Sequence, residues 1–226
     1  MIAIILAAGV GSRLGKTHPK SLTPLERGIT IMEWQISHLK KLGFSRILAM
    51  VGFKKELIME QFPDILYGYN PAYLLENTSK SLLRALTLVD EDVLWLNGDV
   101  IFHPKIIKTL TDQKCPSMLV NKTDVGEEEV KYSLAKDGSI AEVSKNVKNP
   151  EGESIGINFF PQKSLKILKD NLHACALNDY FEHGIELSIN QGLKVYPTVC
   201  DLKECIEIDF PEDLAKANSL ISTWEV

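Results

Sequence analysis

The sequence predicts an α/β protein whose mostly parallel central sheet is covered by helices on both faces. In the first half of the chain, short apolar runs typical of buried strands alternate with segments whose apolar residues recur at helical spacing. In the second half, a hairpin signal and further short strands extend the sheet as a mixed one. With 226 residues, 45% of them hydrophobic, the chain is long enough to bury one large core.

Strand and helix alternate regularly up to about residue 121. The apolar run from Ile2 to Leu6 predicts a buried strand at the start of the chain. The first long helix ends at Gly43, and a later helix has Thr78 or Ser79 as its predicted cap. The elements that follow the first strand are helix 31–42, strand 46–51, helix 54–62, strand 65–69, helix 78–89, strand 93–96, helix 104–110 and strand 117–121.

The pattern changes after residue 122. Strands 130–135 and 140–144 flank the turn Lys136-Asp137-Gly138, which predicts a hairpin. The elements after the hairpin are strand 154–160, helix 161–172, helix 180–190, strands 193–197 and 205–208, and helix 211–222. Glu212 and Asp213 fall in the first turn of the last helix, where we expect them to cap it. Because no linker rich in Pro, Gly or Ser interrupts the chain, we predict one domain over residues 1–226.

Composition excludes several classes of function. The net charge of −5 argues against a nucleic-acid surface, and no apolar run approaches the roughly 20 residues of a membrane span. The first apolar run is too short for a signal peptide and has no basic segment before it. The four cysteines are scattered, without C-x-x-C or zinc spacing, so we expect free thiols in a reducing cytoplasm. Oligomeric state is open, with a homodimer as one option.

A glycine-containing loop follows the first strand. Its small residues, 7–12, let a ligand approach the backbone, whose N–H groups can bind anionic oxygen. Arg13 and Lys20 add positive charge nearby. The start of the chain therefore predicts a site for an anion of triphosphate size.

Two common phosphate loops do not fit this segment. No G-x-x-x-x-G-K-[ST] is present, which excludes a P-loop. Leu14 stands where a dinucleotide fingerprint needs its third glycine, and Gly15 comes one position late. An NAD-dependent oxidoreductase is therefore disfavoured.

The string L-A-A-G-x-G-S-R-L, followed by Pro19-Lys20, resembles the signature of the nucleotidyltransferases that activate sugar phosphates and phospho-alcohols with NTP. The resemblance implies a Rossmann-like three-layer α/β/α fold, with residues 1–121 binding NTP and residues 122–226 binding the acceptor. It also implies that Arg13 and Lys20 bind the triphosphate as catalytic cations. The implied nucleotide-binding loop consists of Leu6, Ala7, Ala8, Gly9, Gly11 and Ser12.

Two aspartates resemble the family's metal ligands. Asp99 ends an apolar strand, and ligands of open α/β sheets bind at the carboxyl ends of strands. Gly98, just before it, lets the backbone pass close to a nucleotide. Asp209 stands in a string similar to the family's late D-x-P-E-D-L. The resemblance implies that both aspartates hold Mg²⁺, which prefers carboxylate and phosphate oxygens; the plainer alternative for Asp99 is an aspartate that opens a turn.

The segment before helix 78–89 looks more like the cytidylyltransferases that act on phosphocholine than like hexose-1-phosphate enzymes. Its hydroxyls and amide are suited to reading a pyrimidine edge or holding a phosphate, although simple capping of the helix is compatible with both. The residues concerned are Asn77, Thr78, Ser79 and Ser81.

The acceptor half carries weaker signals. Lys145 lies where a lysine of the family binds the acceptor phosphate, and Gly156 lies in a strand that resembles the lining of the acceptor pocket. Tyr180 and Glu182 offer an aromatic wall and a carboxylate to a cationic head group, or else face solvent.

The sequence thus favours an Mg²⁺-dependent cytidylyltransferase that joins CTP and a phospho-alcohol such as phosphocholine, releasing pyrophosphate. A sugar-1-phosphate or inositol-1-phosphate nucleotidyltransferase is the alternative within the same class. A nucleotide-binding regulatory module without turnover is the alternative from another class.

Overall fold

The computed structural model describes residues 1–11, 18–26, 28–122 and 125–224. The strands in these ranges are β1 (Ile2–Ala7), β2 (Ile47–Val51), β3 (Leu66–Tyr69), β4 (Val93–Asn97), β5 (Val100–Phe102), β6 (Ser117–Val120), β7 (Lys131–Leu134), β8 (Ile140–Ser144), β9 (Gly152–Phe160), β10 (Tyr196–Val199) and β11 (Cys205–Glu207). The helices are α1 (Ile31–Lys41), α2 (Lys55–Gln61), α3 (Thr78–Thr87), α4 (Pro104–Asp112), α5 (Gln162–Ala174), α6 (Phe181–Asn190) and α7 (Pro211–Thr223), with a 3-10 helix at Lys20–Leu22.

A mixed sheet of nine strands, counted over the described residues, forms the centre of the molecule, in the order β10-β6-β9-β4-β1-β2-β3 with the β7–β8 hairpin attached to β9. Strand β1 pairs in parallel with both β2 and β4. Strand β9, from the second half of the chain, runs antiparallel between β4 and β6. The predicted α/β fold with a mostly parallel sheet is confirmed, and Leu6 and Asn97 align at neighbouring strand ends in its middle.

Helices cover both faces of the sheet because successive side chains of a strand point to opposite sides. Ala3 and Ile5 of β1 join a core with α1, α2 and α4, whereas Ile2 and Ile4 join a core with α3, α5 and α6. In the second core, Trp95 is fully buried, with its ring centroid 4.9 Å from that of Phe160. Burial on both faces explains why β1 is an uninterrupted apolar run.

The structure differs from the sequence-based elements in three places. The short strand β5 was not predicted; it starts three residues after β4 ends and pairs antiparallel with β11. The strand predicted at 193–197 is Tyr196–Val199, which pairs with β6. The N-cap of α3 is Asn77, whose Oδ1 accepts a hydrogen bond from the Thr78 N–H at 2.8 Å, so the predicted cap at Thr78 or Ser79 is wrong.

Two further predictions can be compared with the described residues. All four cysteines lie within them and are free thiols, as expected. In the same ranges, no helix combines the length and the apolar character that crossing a bilayer requires.

Candidate active site

A cleft of about 620 Å³ opens at the carboxyl ends of β1 and β4. One end is lined by the residues after these strands, and the other by the start of α6, the end of β8 and the segment around residue 129. The predicted site residues that line the cleft are Leu6, Ala7, Gly9, Gly11, Lys20, Asn77, Thr78, Gly98, Asp99, Lys145, Tyr180, Glu182 and Asp209. The fold therefore gathers predicted residues from both halves of the chain around one cavity.

Lys20 lies between the two predicted metal carboxylates. Its Nζ donates to Asp99 Oδ2 at 2.6 Å and to Asp209 Oδ1 at 2.5 Å, and 15% of its side chain is exposed. Burial lowers the pKa of Lys20, but the charges and hydrogen bonds of the two aspartates outweigh burial and raise that pKa above its ordinary value. The ammonium group therefore stays charged between two residues that lie 110 positions apart in the sequence.

Backbone hydrogen bonds fix the segments that carry these aspartates. The Gly98 N–H donates to Leu6 O at 2.9 Å, and a Cβ atom at position 98 would lie 2.8 Å from that oxygen. Asp99 O accepts from the Ile208 N–H at 3.0 Å, which ties the turn after β4 to the residue before Asp209. Gly98 is thus required by the close approach of β1.

Asp213 caps the segment that carries Asp209, as the sequence predicts. Its Oδ2 accepts from the Phe210 N–H at 3.0 Å and from the Asp209 N–H at 3.3 Å. These bonds satisfy N–H groups at the start of α7, as an acidic residue in the first turn of a helix does. Asp213 therefore holds the backbone of Asp209.

Glu207 is a carboxylate of the cleft that the sequence analysis missed. Its Oε1 accepts from Asn97 Nδ2 at 3.3 Å. Burial, followed by the nearby charge of Asp99, raises the pKa of Glu207 well above its ordinary value. The signal that was available is spacing, because residues two apart in an extended segment share a face and Glu207 precedes Asp209 by two.

Gly156 lies against the side chains of Asn97 and Glu207 and is not among the described residues that line the cleft. Its φ of +62° is a conformation that favours glycine, and a Cβ atom there would lie 2.4 Å from Asn97 Nδ2 and 2.7 Å from Glu207 Oε1. A side chain at position 156 would displace both groups.

The predicted nucleotide loop is described only in part. Gly11 has a φ of +63°, and a Cβ atom on it would lie 2.6 Å from Lys20 Cβ. Ala8 O accepts from the Phe53 N–H at 3.0 Å. Ser12 and Arg13 lie outside the described residues, so their predicted contacts with phosphate stay predictions.

The segment at the start of α3 joins the two halves of the chain. Thr78 Oγ1 accepts from the Phe181 N–H at 3.1 Å, and the Ser79 N–H donates to Asp179 O at 3.3 Å. Ser81 Oγ accepts from Asn70 Nδ2 at 3.1 Å. Ser79 and Ser81 are buried outside the cleft lining, whereas Thr78 lines the cleft and also holds the start of α6.

The far end of the cleft combines a cation, an aromatic ring and a buried acid. Lys145 Nζ lies 5.1 Å from the centroid of the Tyr180 ring and 3.2 Å from Glu128 Oε2. Glu182 is 6% exposed, and its Oε1 accepts from Ser154 Oγ at 3.4 Å. Burial raises the pKa of Glu182 to about 7.

Comparison with known proteins finds related sequences. Residues 3–145 match the family model described as a MobA-like NTP transferase domain. CMP-5'-(3-aminopropyl)phosphonate synthase of Streptomyces rubellomurinus is 35% identical over 117 residues, which are 48% of this chain and 18% of that protein. D-glycero-alpha-D-manno-heptose 1-phosphate guanylyltransferase of Campylobacter jejuni is 28% identical over 208 residues, 80% of this chain and 93% of that protein. The chain thus spans less than a fifth of the Streptomyces relative.

A solved structure shares the fold. The CTP:phosphocholine cytidylyltransferase of Streptococcus pneumoniae superposes with a TM-score of 0.79 at 20% identity, over 97% of this chain and 99% of that one. At this identity, the likeness concerns the arrangement of the sheet and helices alone.

Proposed function

The chain belongs to the family of MobA-like NTP transferase domains, and from that premise we propose that it is an Mg²⁺-dependent cytidylyltransferase. It joins CTP to a phospho-alcohol with a cationic head group, such as phosphocholine, and releases pyrophosphate. The observation that carries the proposal is one cleft with Lys20 between Asp99 and Asp209 at one end and Lys145 beside Tyr180 at the other.

The nucleotide end is suited to a triphosphate. Lys20 keeps its positive charge, and Leu6, Ala7 and Gly9 bring strand-end backbone to the cleft wall. A Cβ atom added to Gly9 would have no atom of the described residues within 4 Å. A ligand can therefore approach the Gly9 backbone closely. We expect Lys20 to exchange its carboxylate partners for phosphate oxygens when CTP binds.

The acidic residues at this end fit a hard divalent cation. Asp99 Oδ1 is buried and has no hydrogen-bond partner among the described residues, as suits an oxygen that binds a cation. Within those residues, no three acidic, histidine or cysteine side chains enclose an ion by themselves, and Mg²⁺ normally keeps water and phosphate oxygens beside one or two carboxylates. Asp99 and Asp209 would hold the ion, with Glu207 next to them. When bound, Mg²⁺ neutralises negative charge on the reacting phosphates.

The reaction needs no nucleophile from the protein. An oxygen of the acceptor phosphate attacks the α-phosphorus of CTP, a new P–O bond forms, and the bond between the α-phosphorus and the bridging oxygen breaks to release pyrophosphate. The residues of the chain bring two anions together and offset their repulsion, which is the main catalytic task in phosphoryl-type transfer. Lys20 acts on the triphosphate, and Lys145 orients the acceptor phosphate.

The acceptor end supports a cationic head group. Tyr180 is 43% exposed, and its ring already lies near the ammonium of Lys145, in the geometry of a cation–π contact. Glu182 is buried with a pKa of about 7, so a bound cation would favour its ionised form. The Streptomyces relative named for an aminopropylphosphonate product supports CTP and an amine-bearing acceptor.

A sugar-1-phosphate nucleotidyltransferase is the second candidate. The relative from Campylobacter, a guanylyltransferase for a heptose 1-phosphate, aligns with 80% of the chain and favours it. An inositol-1-phosphate acceptor belongs to the same alternative. Both alternatives keep the chemistry at Asp99 and Asp209 and change only the base and the acceptor.

Pyrophosphate release tests these proposals directly. The full chain is assayed with Mg²⁺, each of four NTPs, and a panel of phosphocholine, phosphoethanolamine, aminoethylphosphonate, inositol-1-phosphate and hexose-1-phosphates. Release with CTP and a cationic phospho-alcohol or phosphonate is the expected result. Release only with a hexose-1-phosphate would overturn the acceptor proposal, and NTP binding without release from any pair would favour a regulatory module.

A further inference from the structure

Gln35 is a fully buried residue of α1 that holds the turn carrying Asp99. Its Nε2 donates to Asn97 O at 2.9 Å and to Val100 O at 2.8 Å. These two carbonyls flank Gly98 and Asp99, so one side-chain amide closes the turn between β4 and β5. Gln35 is not among the described residues that line the cleft.

Two backbone–backbone hydrogen bonds hold the same turn, in addition to the bond from Lys20 to the Asp99 side chain. The Gly98 N–H donates to Leu6 O, and Asp99 O accepts from the Ile208 N–H. Of the four bonds to backbone groups of the turn, the two from Gln35 are the ones that a side-chain substitution removes. A substitution of Gln35 therefore tests the effect of this turn on the orientation of Asp99 without a change in any group that faces the ligand.

The oxygen of the Gln35 side-chain amide gives a second reason to assign the role of this residue to its NH₂ group. Its Oε1 is buried and has no hydrogen-bond partner among the described residues. A buried amide oxygen without a partner costs stability, so the Oε1 atom does not account for a glutamine at this position. The role that distinguishes glutamine here is its double donation to the Asp99 turn.

We propose that Gln35 is a positioning residue that orients Asp99 toward the divalent cation and the triphosphate. The inference rests on the proposed function, since it gives Asp99 its role in metal binding. Gln35 touches neither substrate nor ion; it acts through the two carbonyls on either side of Asp99. Residues that orient a metal ligand from the next layer commonly affect metal affinity strongly.

The test compares Gln35→Met with Trp34→Phe in the full-length chain. Gln35→Met keeps the length of the side chain and removes both bonds to the turn. Trp34→Phe is the matched control, because it removes a buried bond from the same helix to the Phe102 carbonyl at 3.1 Å, in β5 beyond the turn. Binding of Mn²⁺ is measured by electron paramagnetic resonance with and without CTP, together with thermal unfolding and the kcat and KM of pyrophosphate release.

Gln35→Met is expected to weaken Mn²⁺ binding by about 10- to 100-fold, the usual range for residues that orient metal ligands. It should lower kcat at saturating substrates and leave the KM for the acceptor unchanged. Trp34→Phe should reduce thermal stability and retain Mn²⁺ affinity. Equal effects of the two substitutions on Mn²⁺ affinity, or none from Gln35→Met, would overturn the proposal.

Gln35→Glu covers the case in which Gln35→Met does not fold. It has the shape of glutamine and at most one O–H donor for the two carbonyls, so weakened Mn²⁺ binding is again expected, and unchanged affinity would contradict the role of Gln35. The wild-type chain separates this inference from the proposed function. If the wild type binds Mn²⁺ without releasing pyrophosphate while Gln35→Met binds it weakly, the positioning role stands and the proposed reaction fails.

Discussion

The two ends of the cleft are built in different ways. At the nucleotide end, Asp99 and Asp209 lie on segments that backbone hydrogen bonds tie to the sheet and to each other, including the 3.0 Å bond from the Ile208 N–H to Asp99 O. At the acceptor end, Lys145 follows a hairpin, and its ion-pair partner Glu128 has a side chain that is 82% exposed. The first end is fixed by the fold, and the second depends on contacts between surface segments.

Because of this difference, we expect turnover and the choice of acceptor to depend on different ends of the cleft. Side chains at strand ends keep their positions as long as the sheet forms, so the groups proposed to act on the triphosphate are preorganised. A hairpin end, a loop and the first turn of a helix can change without any effect on the sheet. We therefore expect substitutions at the nucleotide end to reduce turnover for every acceptor and substitutions at the acceptor end to change which acceptor is used.

The largest effect is expected from Asp209→Asn. Asp209 shares Lys20 with Asp99, and its loss removes a charge from the proposed metal site while the backbone bonds around it remain. We expect kcat to fall by about 100- to 1000-fold, as when one preorganised electrostatic group is removed, with an unchanged circular dichroism spectrum. The measurement is pyrophosphate release with each acceptor of the panel.

Asp213→Asn is the matched control for this change. It removes a charge four residues away, from a side chain that caps α7 and is not among the described residues lining the cleft. An asparagine oxygen can still accept the capping bonds, so turnover should stay close to that of the wild type. If Asp209→Asn retains turnover, Asp209 does not belong to the metal site and the contrast between the two ends is lost.

The second effect is expected from Lys145→Met at the acceptor end. This change removes the cation proposed to orient the acceptor phosphate, so the KM for the acceptor should rise by about 10- to 100-fold, the range for a lost hydrogen bond to a charged group. The KM for CTP should stay nearly constant. Lys148→Met, at an exposed position three residues later, is the control. A rise in the KM for CTP with Lys145→Met would show that the two ends are not independent.

The same contrast explains what the sequence could predict. Strand β1 and the aspartate after β4 were found from the sequence because buried strands have a simple apolar pattern and ligands of α/β sheets bind at strand ends. Strand β5 escaped prediction because it has three residues and forms only through its pairing with β11. Such a pairing joins segments about 100 residues apart and leaves no local periodicity.

Side-chain partners were harder to predict than positions. The family resemblance placed Lys20 at the triphosphate, but no local pattern indicates that its Nζ lies between two aspartates from distant segments. Glu207 was missed because its burial depends on Asn97 and Gly156, which approach it only in the folded chain. Ser81 was predicted at the nucleotide, whereas its hydroxyl accepts a hydrogen bond from Asn70.

A third effect concerns stability, pH and Glu182. Burial raises the pKa of Glu182 from 4.5 to about 7, so the folded state binds this proton more tightly than the unfolded state does. The free energy of unfolding should therefore fall as pH rises from about 4.5 to 7, by about 3 kcal/mol for this group alone. Glu182→Gln should remove that part of the pH dependence in urea titrations.

The comparison between wild type and Glu182→Gln measures this group together with its effect on the charged residues that face it. Lys145 lowers the pKa of Glu182. Glu207, on β11, is buried, and its pKa is raised above the ordinary value, as that of Glu182 is. Both are present in the two proteins, but the charge of Glu182 itself raises the pKa of Glu207, so the difference also contains that effect. Glu186→Gln, one turn later on α6, is the control. Identical pH profiles for wild type and Glu182→Gln would mean that Glu182 is not held in a buried, protonated state.

The smallest effect is expected where the two ends meet, at Thr78. Its Oγ1 accepts from the Phe181 N–H, and the N-cap residue of α6, Tyr180, makes no capping bond with its own side chain. Thr78→Val keeps the shape and removes the acceptor, which should cost about 1 kcal/mol of stability, as for the loss of other helix caps. Thr78→Ser keeps the hydroxyl and should restore the wild-type value in urea titrations.

Kinetics of the same variants decide which end of the cleft Thr78 serves. If Thr78 acts as a cap, Thr78→Val loosens the turn that carries Tyr180 and Glu182, so the KM for a cationic acceptor should rise while the KM for CTP stays constant. If Thr78 instead reads the base, as its sequence motif suggests, the KM for CTP should rise and the acceptor should be unaffected. The first result would show that Thr78, although it lies on a helix of the nucleotide half, affects only the binding of the acceptor. The boundary between the two ends of the cleft would then lie at the start of α3.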